Sequence, residues 1–134
     1  MNRERGISSL AMVLMLLLLG SLMLQGLNQA QRQQLARVND ETRALRKTAI
    51  VHSALQWGKV QQWPVTAGTQ CRSFDETSRV CLQQFADGVL LLTAQSDALR
   101  LWQSGTWDAD GIHFSAHGWS DFCPLKEVSQ CQPL

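Results

Sequence analysis

The sequence predicts an α+β protein, with one long N-terminal helix followed by a small antiparallel sheet. Three observations carry this. An apolar run begins at Ile7 and continues to Leu27. Behind it no proline occurs before Pro64, and helix formers dominate. From Val80 onward, short apolar or alternating runs are separated by turn residues.

The N-terminal stretch opens with Arg3-Glu4-Arg5-Gly6, and the apolar run follows at once. Three readings compete for it. One is a cleaved secretory signal, with Ala30 ending a weak cut site. Another is an uncut transmembrane anchor, since Ile7 to Leu27 approaches the roughly 20 apolar residues needed to span a bilayer. The third is a leader cut before the apolar run rather than after it. What lies downstream disfavours the first, because a helical pattern continues where a signal peptide would give way to a loop. Leu35, Val38, Thr42, Leu45, Ala49, His52 and Leu55 or Gln56 fall at steps of three and four. Ile50, Val51 and Ala54 widen that stripe. Trp63-Pro64 ends it, because proline disfavours helical geometry in the residue before it. The expectation is one helix from about residue 7 to 62, apolar over 7–27 and amphipathic over 28–63. The small remainder of the chain cannot pack a helix of that length. Its first half requires lipid or neighbouring helices.

Residues 64–134 leave room for one small domain, and small domains usually need covalent staples. Cys71, Cys81, Cys123 and Cys131 all lie in it. They form no Cys-x-x-Cys, and no His stands at zinc-finger spacing from them. An even count of this kind reads as two disulfides in an oxidising compartment. Of the three possible connectivities, Cys71–Cys81 with Cys123–Cys131 is favoured, because each closes a short polar loop; a zinc site is the alternative.

In chain order, residues 64–70 read as a turn-rich connection and 71–81 as a polar loop between its own cysteines. Val80 to Phe85 reads as a first strand. Asp87-Gly88 is a turn, and Val89 to Thr93 a buried strand. Leu99 to Gln103 alternates as another strand. Thr106-Trp107 and Ile112-His113-Phe114 flank Asp108-Ala109-Asp110-Gly111 as a hairpin. From Ala116 the chain reads as an irregular tail, and the sheet is expected to pack on the C-terminal half of the helix.

This order of parts resembles the type IV minor pilins and type II secretion pseudopilins. Arg5-Gly6-Ile7 matches their prepilin peptidase site, Gly20 falls where members often carry a helix-loosening glycine, and Gly118-Trp119-Ser120-Asp121-Phe122-Cys123-Pro124-Leu125-Lys126-Glu127 resembles the tail of small enterobacterial minor pilins. The resemblance implies a leader over residues 1–6, cleavage between Gly6 and Ile7, and N-methylation of Ile7. It also implies a single-pass inner-membrane protein with its C-terminal domain in the periplasm. Its partners would be the prepilin peptidase, other minor pilins or pseudopilins and the inner-membrane assembly platform.

One position departs from the family pattern. Most members carry a glutamate at the fifth residue after the cut, and here that residue is Ala11. A carboxylate within a bilayer is costly unless paired. In the family its partner is the first-residue amine of a neighbouring subunit. A chain with Ala11 cannot accept that amine, although its own Ile7 amine can still be donated. The K-type tip pseudopilin lacks the same glutamate, which implies a tip position for this chain.

Other functional classes find little support. Net charge is +1, and no basic block points to nucleic acid. Arg32, Arg37, Arg43, Arg46 and Lys47 read as a solvated helix face tempered by Asp40 and Glu41; contact with lipid head groups or an acidic neighbour is the sharper reading. These basic residues also offset the orienting bias of Arg3 and Arg5. His52 reads as a packing or interface residue. His117 with Ser120-Asp121 lacks the strand–turn–helix setting of a hydrolase nucleophile. Asp108-x-Asp110-Gly111 lacks the remaining calcium ligands and reads as a turn. Trp57, Trp63, Trp102, Trp107 and Trp119 read as packing residues. No enzyme activity, cofactor or metal is expected. The favoured function is a structural subunit that initiates and caps a fibre; an unprocessed single-pass protein with a periplasmic binding domain is the alternative.

Overall fold

The computed structural model describes residues 3–133, with side chains described for residues 8–133. It contains one α-helix, α1 (Arg3–Val60), then five strands and a 3-10 turn at Val128–Cys131. The strands are β1 (Gly68–Ser73), β2 (Ser78–Gln84), β3 (Val89–Ser96), β4 (Leu99–Asp108) and β5 (Gly111–Ser120). The chain is α+β, as the composition of its halves predicts. It divides into two compact units, with the boundary inside α1 between Arg43 and Ala44.

In the second unit the sheet is a simple meander, β1-β2-β3-β4-β5, antiparallel throughout. Each connection is short, as antiparallel neighbours permit. Side chains alternate across a sheet. Val80 and Leu82 of β2, Leu90, Leu92 and Ala94 of β3 and Leu101 of β4 therefore share one face. They form the core with Val51, Ala54, Leu55 and Trp63. The helix contributes these residues at i, i+3 and i+4, and Gly58 continues the same line one turn on.

The opposite face is also covered, which the sequence pattern does not announce. Cys81, Gln83, Leu91 and Thr93 are buried there. The tail reaches this face: the Trp102 indole N–H donates to the Cys131 carbonyl at 3.3 Å, and Cys131 is itself buried. Two-sided burial explains why Leu90, Leu91 and Leu92 run without a polar interruption.

Several expectations change. The segment over 71–81 is a hairpin, not a loop: β1 begins at Gly68, within the supposed connection, and the strand expected to be first is second. An edge strand exposed on both faces needs no apolar side chains, so Gly68–Ser73 lacks the usual signal. Cys71 and Cys81 are direct partners across this pair, and they are disulfide-bonded. The turn between them is closed by Asp75, whose Oδ1 accepts from the Thr77 backbone N–H at 2.8 Å and the Thr77 hydroxyl at 3.0 Å. The Thr77 backbone hydrogen bond holds the Asp75 carboxyl below its ordinary pKa.

The tail is not irregular from Ala116, because β5 runs on to Ser120. Its register with β4 jumps between Gly105↔Phe114 and Gln103↔Trp119. Residues 115–118 form this bulge, which breaks the alternation and hides the strand from pattern reading. The Ser115 carbonyl accepts from Gln103 Nε2 at 2.7 Å and the Gly118 carbonyl from the Ser104 hydroxyl at 3.2 Å. Gly105 lies under the bulge, where a Cβ would collide with the His113 carbonyl.

The helix also differs in detail. It begins at Arg3, inside the expected leader, and ends at Val60, before Trp63. The Trp63 indole N–H donates to the Gly58 carbonyl at 2.7 Å, satisfying one acceptor that the helix end leaves open. The expected stripe is buried only near its end: Leu35, Val38 and Leu45 are exposed. The sheet covers residues 51–58, and the helix residues before them from Ser8 to Ala49 are exposed.

Candidate functional site

Two surfaces stand out, one in each unit. In the first unit, the side chains from Ser8 to Arg43 are exposed on every side of the helix. From Leu10 to Leu27 most of them are large and apolar; Met15 is 70% exposed and Leu24 is 70% exposed. A helix apolar all round is stable only against lipid or other helices. This segment is long and apolar enough to cross a membrane. All backbone groups within such a span are satisfied internally, as a bilayer demands.

Ala11 lies in this segment and is exposed. No carboxylate occurs anywhere between Ser8 and Asn39, so the apolar face carries no buried charge. Gly20 leaves a notch: a Cβ there would meet nothing within 4 Å. Small residues of this kind let another helix approach closely. Gly6 and Ile7, the expected cleavage pair, lie outside the residues whose side chains are described. Beyond Leu27 the surface turns polar through Gln29, Arg32, Gln33 and Arg37, with Leu35 and Val38 exposed among them.

In the second unit, a groove of about 620 Å³ opens between residues 48–52 of α1, the β3–β4 turn and the end of β5. Trp119 stands at it, 55% exposed. Its indole packs edge-to-face on His52, with ring centroids 5.4 Å apart at 68°. His52, expected as a packing or interface residue, makes this ring contact. Trp119 was expected to be a packing residue as well, but half of it faces solvent. The β3–β4 turn is held by a Lys47–Asp97 ion pair at 3.4 Å and by Gln95 Nε2 donating to the Asp97 carbonyl at 3.4 Å. Asp97 has φ of 51°, a left-handed conformation that Asp tolerates better than most residues. His52 and Trp119 are 67 positions apart in the chain, so no local motif signals their meeting.

The remaining candidates settle into structural places. Cys71–Cys81 and Cys123–Cys131 are the two disulfides. Asp108 Oδ1 accepts from the backbone N–H groups of Asp110 and Gly111, at 2.9 and 3.1 Å, so this aspartate closes a hairpin turn. Ser120 donates its hydroxyl to the Phe122 carbonyl at 2.7 Å, and His113 and His117 are exposed. Among the described residues, no three His, Cys, Asp or Glu side chains gather to hold a metal. Trp57 packs on Phe74, with ring centroids 5.6 Å apart, and Arg72 lies 4.8 Å from the centre of a Trp63 ring.

Comparison with known proteins places the chain in a family. No curated protein and no solved structure matches it. A family model described as "protein of unknown function (DUF2509)" matches residues 15–131, which covers most of the helix, the whole sheet and all four cysteines. The chain therefore belongs to the DUF2509 family.

Proposed function

We propose that this protein is a minor pilin or pseudopilin, a non-catalytic subunit that helps start a fibre and caps it. The observation that carries the reading is the long α1 with two different ends. Residues 8–27 are apolar on every side, and residues 51–58 are packed under a disulfide-stapled sheet. Such a chain is suited to wait in the inner membrane with its C-terminal unit in the periplasm. Two disulfides suit that oxidising compartment. Assembly then exchanges lipid for neighbouring helices around Leu10 to Leu27.

In this reading the prepilin peptidase cuts between Gly6 and Ile7, and Ile7 is methylated. The Ile7 amine then pairs with a neighbouring subunit's glutamate. Ala11 offers no carboxylate in return, so nothing is recruited above it, and the subunit sits at the tip. Its partners are other minor pilins and the membrane assembly platform.

Mass measurement of the mature N-terminus tests the proposal in cells containing the peptidase. The expected product begins at methylated Ile7. Retention of Met1 or Asn2 would instead support an unprocessed single-pass protein with a periplasmic binding domain. The tip position has its own test: Ala11→Glu should impair fibre initiation more than Ile7→Val does. Equal tolerance of both changes would remove the argument for a cap.

A further inference from the structure

We propose that the groove beside His52 and Trp119 is a carbohydrate subsite that takes a neutral pyranose. Its volume, about 620 Å³, lies within the range of small-ligand sites. A sugar ring has an apolar, slightly electropositive C–H face and a hydroxyl-bearing rim. Each half has a counterpart here.

Trp119 supplies the plate. More than half of it is exposed, in a protein whose other tryptophans are half-buried or buried. Its orientation is fixed by the edge-to-face contact with His52. An indole face is electron-rich and attracts an electropositive C–H surface. Covering it also removes apolar area from water.

The polar rim supplies the hydrogen bonds. Asp97 and Asp121 carry acceptors, Arg100 carries donors, and Gln95 and Thr48 carry both; all five line the groove. No single charge dominates, because Lys47 is paired with Asp97 and the lining carries one further residue of each sign, Arg100 and Asp121. An ionic ligand would be matched by one sign of charge. A polyol is matched by this mixture, since each hydroxyl both donates and accepts. The rim is also held in advance of binding. The Lys47 and Gln95 contacts hold the Asp97 turn, and the Ser120 hydroxyl braces the turn containing Asp121. Less ordering then remains to be done on binding.

This inference does not rest on the fibre reading, and either can fail without the other. The test uses the full chain in a zwitterionic detergent that contains no sugar. Chitotriose, maltotriose and cellotriose are titrated while the tryptophan indole N–H signals are followed by NMR. One of the three should bind with Kd of about 1 mM or tighter. Trp119→Ala should weaken it by about tenfold or more, a loss of about 1.4 kcal/mol, with Trp119→Phe falling between. Asp121→Asn should weaken binding while leaving the unfolding midpoint unchanged, and it serves if Trp119→Ala fails to fold. Absence of binding by all three sugars at about 10 mM would overturn the proposal. So would binding that survives both Trp119→Ala and Asp121→Asn.

Discussion

Gly58 of α1 and Val80 of β2 meet so closely that a Cβ on Gly58 would stand 2.5 Å from Val80 Cγ1. It would also stand 3.2 Å from Leu92 Cδ2. Val80 and Leu92 are fully buried, so neither has free space to retreat into. This contact sets how near the helix can come to the sheet. Glycine inside a helix costs about 1 kcal/mol relative to alanine, and here it is the residue that allows the approach. Gly58→Ala should therefore destabilise the second unit by up to about 2 kcal/mol: overpacking costs about 1–3 kcal/mol, and the propensity gain offsets about 1 kcal/mol of it. Denaturant unfolding of the full chain in detergent checks this, and an increase in midpoint would contradict it.

Gln84 joins the helix end to the sheet. Its Nε2 donates to the Pro64 carbonyl at 2.8 Å, and its Oε1 accepts from the Thr66 backbone N–H at 2.9 Å. Gln84 is only 3% exposed, and its two partners lie in the exposed connection that follows the helix. Gln84→Leu removes both bonds, while the Thr66 N–H keeps the Pro64 carbonyl at 3.1 Å and that carbonyl keeps Gln70 Nε2 at 3.5 Å. The expected loss is about 1–2 kcal/mol, the net worth of two hydrogen bonds to partners that are not left stranded. Amide hydrogen exchange should accelerate first at Thr66, and a uniform increase across the sheet would point to global unfolding instead.

Thr93 presents the opposite case. Its Oγ1 is buried and, among the described residues, has no hydrogen-bond partner; it lies on the face covered by the tail. Replacing threonine by valine exchanges that hydroxyl for a methyl group of similar shape. Thr93→Val should raise stability by about 1 kcal/mol, because an unsatisfied buried hydroxyl costs about 1–3 kcal/mol. A fall in thermal midpoint would show that this hydroxyl is satisfied in solution.

The two disulfides should differ in importance. Both close short loops, with separations of 10 and 8 residues, so chain entropy predicts about 2–3 kcal/mol for each. Cys71–Cys81 joins strands already hydrogen-bonded to each other. Cys123–Cys131 instead holds the tail whose Cys131 carbonyl meets the Trp102 indole. Cys123→Ala with Cys131→Ala should therefore cost more than Cys71→Ala with Cys81→Ala, by about 1 kcal/mol, since Trp102 and the face beneath it lose cover. Paired chemical-denaturation curves give the comparison, and equal losses would mean the tail stays docked without its staple.

The sequence by itself determined the class of the protein and its strongest local features. The run from Ile7 to Leu27 is apolar and lies in a helix long enough to cross a membrane. The absence of proline before Pro64 lets the helix continue behind it. Asp87-Gly88 and Asp108 to Gly111 mark turns through local chemistry that needs no partner elsewhere. Only the tertiary structure decided the rest. β1 exists because β2 offers it hydrogen bonds, and its exposed edge position removes any need for apolar residues. β5 passes through a bulge that destroys the alternation by which strands are read. Leu35, Val38 and Leu45 match the periodicity of Leu55 yet stay exposed, because periodicity identifies a face and not what covers it. The groove at His52 and Trp119 depends on two residues that local interactions never bring together. Burial and long-range pairing are properties of the assembled sheet, and they become visible only when it is in place.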